Sequence, residues 1–187
     1  ETAQQEEDAE AQADADTGKI KHHFQYTPNG SWDYDGNNET ILVDDDQGRK
    51  VWLHADRNGH VYSINRDSGK CNWVVPIARV NWVTGFQGNC RPIVNPDKVP
   101  GYDKIVTDIA PILDGGKEWH PAAYSPLTKL LYVPYIDSSM DIQAKKMEWK
   151  QGEWFLSSKV LKANPYTGGV KAFDATTGKL AWSRPQS

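Results

Sequence analysis

Short stretches of alternating apolar and polar residues, separated by turn residues, make up much of the chain. Residues 50–55 alternate in this way, Asn58 and Gly59 are typical of a tight hairpin turn, and residues 60–64 return as a second strand. Strands of the same kind are predicted at 130–134, 169–173 and 179–182. No window longer than about ten residues keeps a helical period without interruption by Gly, Pro or β-branched residues. The sequence therefore predicts a fold that is mostly β.

A pattern of small residue, Asp or Asn, Gly and Trp occurs twice and indicates internal repetition. Residues 63–73 and 172–182 carry these types at positions 1, 3, 7 and 11 of the pattern. A third stretch, residues 14–22, keeps the Asp and the Gly but has His22 where the Trp should be. This weaker copy also fits a chance recurrence of a common turn.

The spacing of the repeat predicts its architecture. The glycines of the three copies stand at positions 18, 69 and 178, so the steps are 51 and 109 residues, or one and two units of about 50 residues. A unit of that size with four short strands is typical of a propeller blade. In such a blade the Asp or Asn would start a turn, the Gly would take positive φ, and the Trp would pack against the next blade.

Composition and charge limit the classes of partner. The chain has 187 residues, with 21 Lys and Arg against 25 Asp and Glu, and its basic residues are scattered. A nucleic-acid partner is therefore not expected. No stretch approaches the roughly 18 apolar residues of a membrane span, so no transmembrane segment is expected in this chain. The 8 Trp, 15 Gly and 11 Pro favour β-structure with many turns.

The first twelve residues differ in composition from the rest. They contain five acidic residues and no basic or aromatic one. Such a segment buries too little apolar surface to fold. We therefore expect residues 1–12 to be a disordered acidic tail and residues 13–187 to form the folded domain.

The two cysteines, Cys71 and Cys90, are 19 residues apart, and neither has a second Cys two or three residues away. This spacing matches no zinc or redox motif. The stretch between them is able to return as a hairpin and to place them opposite each other, which would permit a disulfide in an oxidising compartment. A disulfide and two free thiols are both compatible with the sequence.

Several short motifs occur in the order found in one enzyme family. The repeat is similar to the tryptophan-docking motif of the quinoprotein alcohol dehydrogenases, which are eight-bladed propeller enzymes that use pyrroloquinoline quinone. Further similar motifs are Trp32-Asp33-Tyr34, Asp56-Arg57-Asn58-Gly59, Val80-Asn81-Trp82 and Trp119-His120-Pro121. The family's catalytic subunits are about three times longer, so the resemblance implies an all-β, partial eight-bladed β-propeller of two to three blades.

Two carboxylates, Asp33 and Asp35, are candidates for metal ligands. They stand at i and i+2, so an extended segment would place both on one face. Hard cations bind several such oxygens, and a trivalent ion gains more from each added negative charge than a divalent one. An EF-hand loop does not match, because Gly36 falls at the fourth loop position instead of the sixth. The alternative role for Asp33 is to cap a turn.

The resemblance implies roles for individual residues. In the family, the Asp of the Trp-Asp-Tyr motif is the base that takes the hydroxyl proton, and Asp33 matches it. The pair Asp33 and Asp35 resembles the lanthanide-dependent branch, so the implied metal is a lanthanide ion or Ca²⁺. Arg57 matches the residue that hydrogen-bonds the quinone oxygens, and Trp119 matches a residue of the cofactor pocket. Glu118 departs from the Asn usual before that Trp, and both a pocket acid and a turn residue fit this position.

The function that the resemblance implies is oxidation of a small primary alcohol to an aldehyde, with metal-assisted hydride transfer to the quinone. It also implies a periplasmic location and a periplasmic cytochrome c as electron acceptor. The alternative is a non-catalytic propeller that acts as a protein-interaction scaffold, which would have no reason to keep Asp33, Asp35 and Arg57 together. The insert at 140–163, with Trp149 and Trp154, is interpreted as a lid or a partner contact. The isolated chain is expected to be inactive, because a propeller closes its cofactor pocket with loops from many blades.

Overall fold

The computed structural model describes residues 9–28, 30–36 and 38–186. Within these ranges the chain forms fifteen β-strands and one short 3₁₀ helix, Pro96–Lys98. The strands are β1 (Ala9–Ala13), β2 (Ile20–Gln25), β3 (Thr40–Asp44), β4 (Lys50–Ala55), β5 (His60–Asn65), β6 (Cys71–Pro76), β7 (Val83–Gln87), β8 (Arg91–Val94), β9 (Ile105–Ile109), β10 (Ala123–Ser125), β11 (Leu130–Asp137), β12 (Met140–Ala144), β13 (Ser158–Ala163), β14 (Thr167–Asp174) and β15 (Leu180–Gln186). No helix in the described ranges has the length and hydropathy that a membrane span needs.

Two four-stranded antiparallel sheets dominate the fold. One has the order β3-β4-β5-β6 and the other the order β10-β11-β14-β15. Their facing side chains, including Leu53 and Val61 from the first sheet and Leu131, Val133 and Phe173 from the second, form one apolar core. Two sheets that share a core in this way are adjacent blades.

The first of these blades is buried on both faces. Phe24 and Tyr26, in and just after β2, pack on its opposite face against Trp52, Tyr62 and Ile64. As a result, all of β4 except its first residue is buried. The strands predicted at 50–55 and 60–64 are confirmed, and their alternating residues are buried on both faces because other parts of the chain cover both sides of these strands.

The turns of the three sequence repeats have the same hydrogen bonds. The first residue of the repeat turn is Asp14 in β1-β2, Asn65 in β5-β6 and Asp174 in β14-β15, and each carbonyl oxygen accepts from the glycine four residues later, at 2.8 to 2.9 Å. Each side-chain Oδ1 also accepts from the two backbone N–H groups at i+2 and i+3, at 2.8 to 3.2 Å. The β1-β2 hairpin therefore has the turn that ends a blade.

The tryptophan of one repeat docks onto the glycine of the next. A Cβ on Gly178 would lie 2.7 Å from the Trp73 ring, so only glycine leaves room for it. The indole Nε1 of Trp73 donates to the carbonyl oxygen of Thr176 at 3.0 Å. The predicted role of the Trp as an interblade wedge is confirmed.

His22 makes the same contact one repeat earlier. A Cβ on Gly69 would lie 2.8 Å from the Cβ of His22. The ring Nε2 of His22 is 3.0 Å from the carbonyl oxygen of Asp67, which stands two residues before the glycine as Thr176 does. The interpretation of this copy as a chance recurrence is wrong, since the imidazole takes the place of the indole.

The disordered tail was predicted to cover residues 1–12, but the first strand already begins at Ala9. Residues 9–12 belong to β1, which pairs with β2 from Ala9 opposite Gln25 to Ala13 opposite Ile20. Backbone hydrogen bonds to a neighbouring strand do not require apolar side chains, so the acidic composition did not prevent pairing. Residues 1–8, which hold four of the five acidic residues of the predicted tail, lie outside the described residues.

Cys71 and Cys90 form a disulfide, so the alternative of two free thiols is excluded. Cys71 begins the edge strand β6, and Cys90 lies between β7 and β8. Beside the bond, the side chain of Asn89 accepts from the N–H of Cys71 at 2.7 Å and donates to the carbonyl oxygen of Gly69 at 3.1 Å. The β7-β8 hairpin is thereby fixed to the blade edge.

The insert contains the hairpin β12-β13, which pairs with β9 in a three-stranded sheet. Met140 and Ile142 are buried in a second core, with Trp32, Tyr34 and Trp82. The segment between β12 and β13 is exposed, and its two tryptophans have exposed fractions of 68% for Trp149 and 83% for Trp154. Whether this segment is a lid or a partner contact stays a prediction.

We predict that Gly178→Ala lowers the free energy of unfolding by about 3 kcal/mol, because it combines left-handed strain with a clash against Trp73. Gly48→Ala is the matched control: both glycines have φ +73°, but a Cβ on Gly48 meets nothing within 4 Å. It should cost only about 1 kcal/mol. Urea unfolding at equal m-values measures both, and equal losses would show that the docking contact contributes nothing.

Candidate functional site

Two buried aromatic residues anchor the segment that carries the candidate metal ligands. Trp32 and Tyr34 are fully buried and pack with Trp82. The indole Nε1 of Trp32 donates to the carbonyl oxygen of Lys98 at 2.7 Å. The hydroxyl of Tyr34 donates to the carbonyl oxygen of Pro111 at 2.5 Å. Residues 32 and 34 thus hold the segment in the core, while Asp33 is half-buried and Asp35 is exposed.

Asp33 and Asp35 come together by a different route from the one predicted. Asp33 has φ +66°, in the left-handed region, so the segment is not extended there. This conformation costs an L-residue roughly 1–2 kcal/mol, although Asp tolerates it better than most. The two carboxyl groups nevertheless lie close enough for Asp35 to raise the pKa of Asp33. The structure therefore brings the pair together through a bend at Asp33.

Negative charge accumulates at this pair. Burial, together with the neighbouring carboxylate of Asp35, raises the pKa of Asp33 to about 6. The charge of Glu118 acts in the same direction, whereas the guanidinium of Arg57 opposes it. A bound cation would offset the repulsion between these carboxylates.

Arg57 reaches this site from the turn between β4 and β5. Its Nη1 lies 3.1 Å from Oε1 of Glu118 in an ion pair, and its Nη2 donates to the carbonyl oxygen of Leu113. A Cβ on Gly36 would lie 2.9 Å from Cγ of Arg57, so the absence of a side chain at Gly36 leaves room for the aliphatic part of the Arg57 side chain. Nε of Arg57 is buried and has no hydrogen-bond partner among the described residues. The guanidinium is therefore fixed by contacts at both Nη1 and Nη2.

A pair of glycines brings the loop at 115–122 against the β4-β5 turn. A Cβ on Gly115 would lie 2.7 Å from the carbonyl oxygen of Arg57, and one on Gly116 would lie 2.7 Å from Cα of Gly59. The N–H of Gly116 donates to the Arg57 carbonyl oxygen at 2.8 Å. This close approach places Glu118 beside Arg57.

Trp119 follows Glu118 but points largely into solvent. Its side chain is 72% exposed, and its ring stacks on His120 with centroids 4.4 Å apart. Within the described residues it contributes an open aromatic face next to the Arg57–Glu118 pair. Asp33, Asp35 and Arg57 are thus brought together, and Trp119 lies at their margin.

Sequence reasoning missed the ion pair of Lys117 with Glu39. The ammonium of Lys117 is completely buried and lies 3.1 Å from Oε2 of Glu39. It also donates to the carbonyl oxygen of Glu118 at 3.0 Å, and Oε1 of Glu39 accepts from the N–H of Ala122 at 2.6 Å. Their 78-residue separation leaves no local signal, because only the interblade packing brings them together.

The donor set fits a cation only in part. Among the described residues no group of three or more His, Cys, Asp or Glu side chains is arranged to hold a metal ion. Asp33 and Asp35 supply two carboxylates, whereas a Ca²⁺-like ion takes about 6–8 oxygens. The guanidinium of Arg57, whose side chain is 19% exposed, is suited to an acceptor oxygen of a ligand. These residues therefore form one side of a site.

Comparison with known proteins gives one consistent answer. The chain is 34% identical to the quinoprotein alcohol dehydrogenase PedE of Pseudomonas putida, over 92% of this chain and 30% of that protein. It is 36% identical to the lanthanide-dependent methanol dehydrogenase of Methylacidiphilum fumariolicum, over 89% of this chain and 29% of that protein. The chain belongs to the quinoprotein alcohol dehydrogenase family. No family model matches it.

Solved structures of quinoprotein dehydrogenases share the fold. A europium-containing methanol dehydrogenase superimposes with a TM-score of 0.86 at 33% identity, over 95% of this chain and 33% of that one. A quinohemoprotein alcohol dehydrogenase from Comamonas testosteroni superimposes with a TM-score of 0.82 at 30% identity, over 93% of this chain and 28% of that one. The predicted all-β, partial propeller with docking repeats is confirmed. The chain spans about 30% of the length of these curated relatives.

We predict that Lys117→Met lowers the free energy of unfolding by about 2–3 kcal/mol, because it leaves Glu39 without its cation in a partly buried place. The double variant with Glu39→Gln should recover part of this loss. Lys129→Met is the control, since Lys129 pairs with Asp46 at 3.5 Å on the surface, and it should change stability by less than about 1 kcal/mol. Chemical denaturation measures all three. A loss no larger for Lys117→Met than for Lys129→Met would contradict a stabilising role for the buried pair.

Proposed function

We propose that this chain supplies one sector of the active site of a pyrroloquinoline quinone-dependent dehydrogenase that oxidises a small primary alcohol to an aldehyde. The observation that carries the proposal is the meeting of Asp33, Asp35 and Arg57, from two separate segments, on the scaffold of that family. Relatives named as alcohol, ethanol and methanol dehydrogenases support the substrate class. A propeller that served only as a scaffold would have no use for this cluster.

Each site residue has a proposed role. Asp33 and Asp35 hold the cation, and Asp33 takes the proton of the substrate hydroxyl at its carboxylate. Arg57 donates hydrogen bonds to the quinone oxygens, for which its fixed position and partly exposed guanidinium suit it. Trp119 lines the cofactor pocket with its exposed ring. When bound, the quinone and the metal supply a polarised carbonyl that accepts a hydride.

We propose that the metal is a lanthanide in preference to Ca²⁺. Asp35 adds a second carboxylate beside Asp33, and a trivalent ion gains more from that charge than a divalent one. The relatives include a lanthanide-dependent methanol dehydrogenase and a europium-containing one. Both observations support the same choice.

The proposed location is the periplasm, with a periplasmic cytochrome c as electron acceptor. The Cys71–Cys90 disulfide supports an oxidising compartment. The 1-butanol dehydrogenase (cytochrome c) of Thauera butanivorans is 38% identical over 70% of this chain and 19% of that protein, and its name supports the acceptor.

We also propose that the sector works within a longer propeller. Trp182 stands at the position whose equivalents, Trp73 and His22, dock onto a glycine of the following blade. Its side chain is 41% exposed. The remaining metal ligands and the rest of the cofactor pocket would come from other blades of the complete enzyme.

The metal preference provides the test of the proposed function. In the complete enzyme loaded with quinone, Asp35→Ala should abolish lanthanide-supported, alcohol-dependent dye reduction and spare the activity that Ca²⁺ supports, because Asp33 remains. Asp44→Ala removes an acid that is 70% exposed and pairs with Arg66, and it should change neither activity. Equal loss with both ions, or no loss with either, would contradict a selective role for Asp35.

The 187-residue chain alone should be inert when it is supplied with quinone, a lanthanide or Ca²⁺, and a primary alcohol. Two carboxylates and one side of a pocket do not close a propeller site. Dye reduction by the purified chain, compared with the complete enzyme at equal concentration, measures this. Turnover by the chain at a rate similar to that of the complete enzyme would show that the site is already whole.

A further inference from the structure

We infer that Glu118 is a positioning residue, which locks the guanidinium of Arg57 and the backbone of Trp119 into one arrangement before a ligand binds. The inference extends the proposed function, because it names the residue that orients the quinone-binding arginine. Glu118 occupies the position at which the sequence departs from the pattern it resembles, and the sequence left its role open between a pocket acid and a turn residue.

The Glu118 carboxylate bridges the two candidate cofactor-binding residues. Oε1 forms an ion pair with Nη1 of Arg57 at 3.1 Å, and Oε2 accepts from the backbone N–H of Trp119 at 2.9 Å. The side chains of Arg57 and Glu118 are only 19% and 21% exposed, so this pair is better shielded from water than a surface ion pair. Both oxygens are therefore used in holding the site together.

The backbone around Glu118 has little freedom to move. Gly116 donates to the carbonyl oxygen of Arg57 on one side, at 2.8 Å. Lys117 forms its buried ion pair with Glu39 on the other side, at 3.1 Å. Successive residues thus connect the loop to the β4-β5 turn and to the segment that follows Asp35. The backbone that carries the Glu118 carboxylate is therefore held in place from both sides.

This arrangement leaves Arg57 with a defined set of free donors. A guanidinium has five N–H groups; Leu113 accepts from Nη2, Glu118 pairs with Nη1, and Nε is buried. The second N–H of each Nη group remains for a ligand. Because the side chain is already ordered, ligand binding does not have to restrict its rotamers, which favours affinity. Without Glu118, Nη1 would lose its anionic partner and the guanidinium would gain freedom.

A double-mutant cycle in the complete apo-enzyme tests whether Glu118 acts through Arg57. The readout is the dissociation constant of pyrroloquinoline quinone, from quenching of protein fluorescence. We expect Glu118→Ala to weaken binding about tenfold, and Glu118→Gln about threefold, because one amide oxygen replaces two carboxylate oxygens. In an Arg57→Ala background, Glu118→Ala should have less than about a twofold effect. Asp44→Ala serves as the unaffected control.

A second measurement does not depend on the quinone. In the apo-enzyme, the side-chain Nε–H of Arg57 should exchange slowly with water, and both Glu118 variants should speed this exchange. The Gln variant, which keeps the shape of the side chain, gives the comparison if the Ala variant does not fold.

The outcomes separate the inference from the proposed function. Equal effects of Glu118→Ala in the wild-type and Arg57→Ala backgrounds would overturn the inference while the proposed function stands. Unchanged Nε–H exchange in the variants would also overturn it. Failure of the wild-type enzyme to bind the quinone, with Nε–H exchange that still depends on Glu118, would overturn the proposed function and leave the positioning role of Glu118 supported.

Discussion

The site depends on a close backbone contact between the loop at 115–122 and the β4-β5 turn, with no side chain between them. Gly115 and Gly116 approach the turn that carries Arg57 so closely that a Cβ on either would overlap its backbone. That approach brings the loop before β10 within reach of the hairpin of the preceding blade. The ion pair of Arg57 with Glu118 follows from it. A side chain at either glycine would therefore disturb residues that it does not itself touch.

The charges of the site alternate from one segment to the next. Glu39 pairs with Lys117, and Glu118 pairs with Arg57. Asp33, by contrast, faces Asp35 as well as the arginine. Paired charges in a shielded place hold geometry, whereas a pair of like charges raises the free energy of the ligand-free state. The chain thus combines a rigid frame with one place where a cation would be stabilising.

The sequence predicted the features that depend on local chemistry. A hairpin turn forms where it was expected, but it spans the four residues 56–59 and not Asn58 and Gly59 alone. The repeat turns form as their Asp, Asn and Gly residues require. It did not predict the burial of β4 on both faces or the left-handed conformation of Asp33, because both depend on distant packing. The Asp33–Asp35 contact was expected from an extended segment, and it occurs through a bend. Glu39 and Lys117 carry no sequence signal at all, because their contact arises only after the blades assemble.

The substitution of His22 for a tryptophan redefines what the docking repeat requires. Both rings are flat, both present a nitrogen to a carbonyl oxygen two residues before a glycine, and both lie where that glycine lacks a Cβ. The glycine and the carbonyl oxygen form the docking site, and either ring can occupy it. A count of blades that relied on tryptophan would miss this junction, whereas a count based on the receiving glycine and its turn would find it.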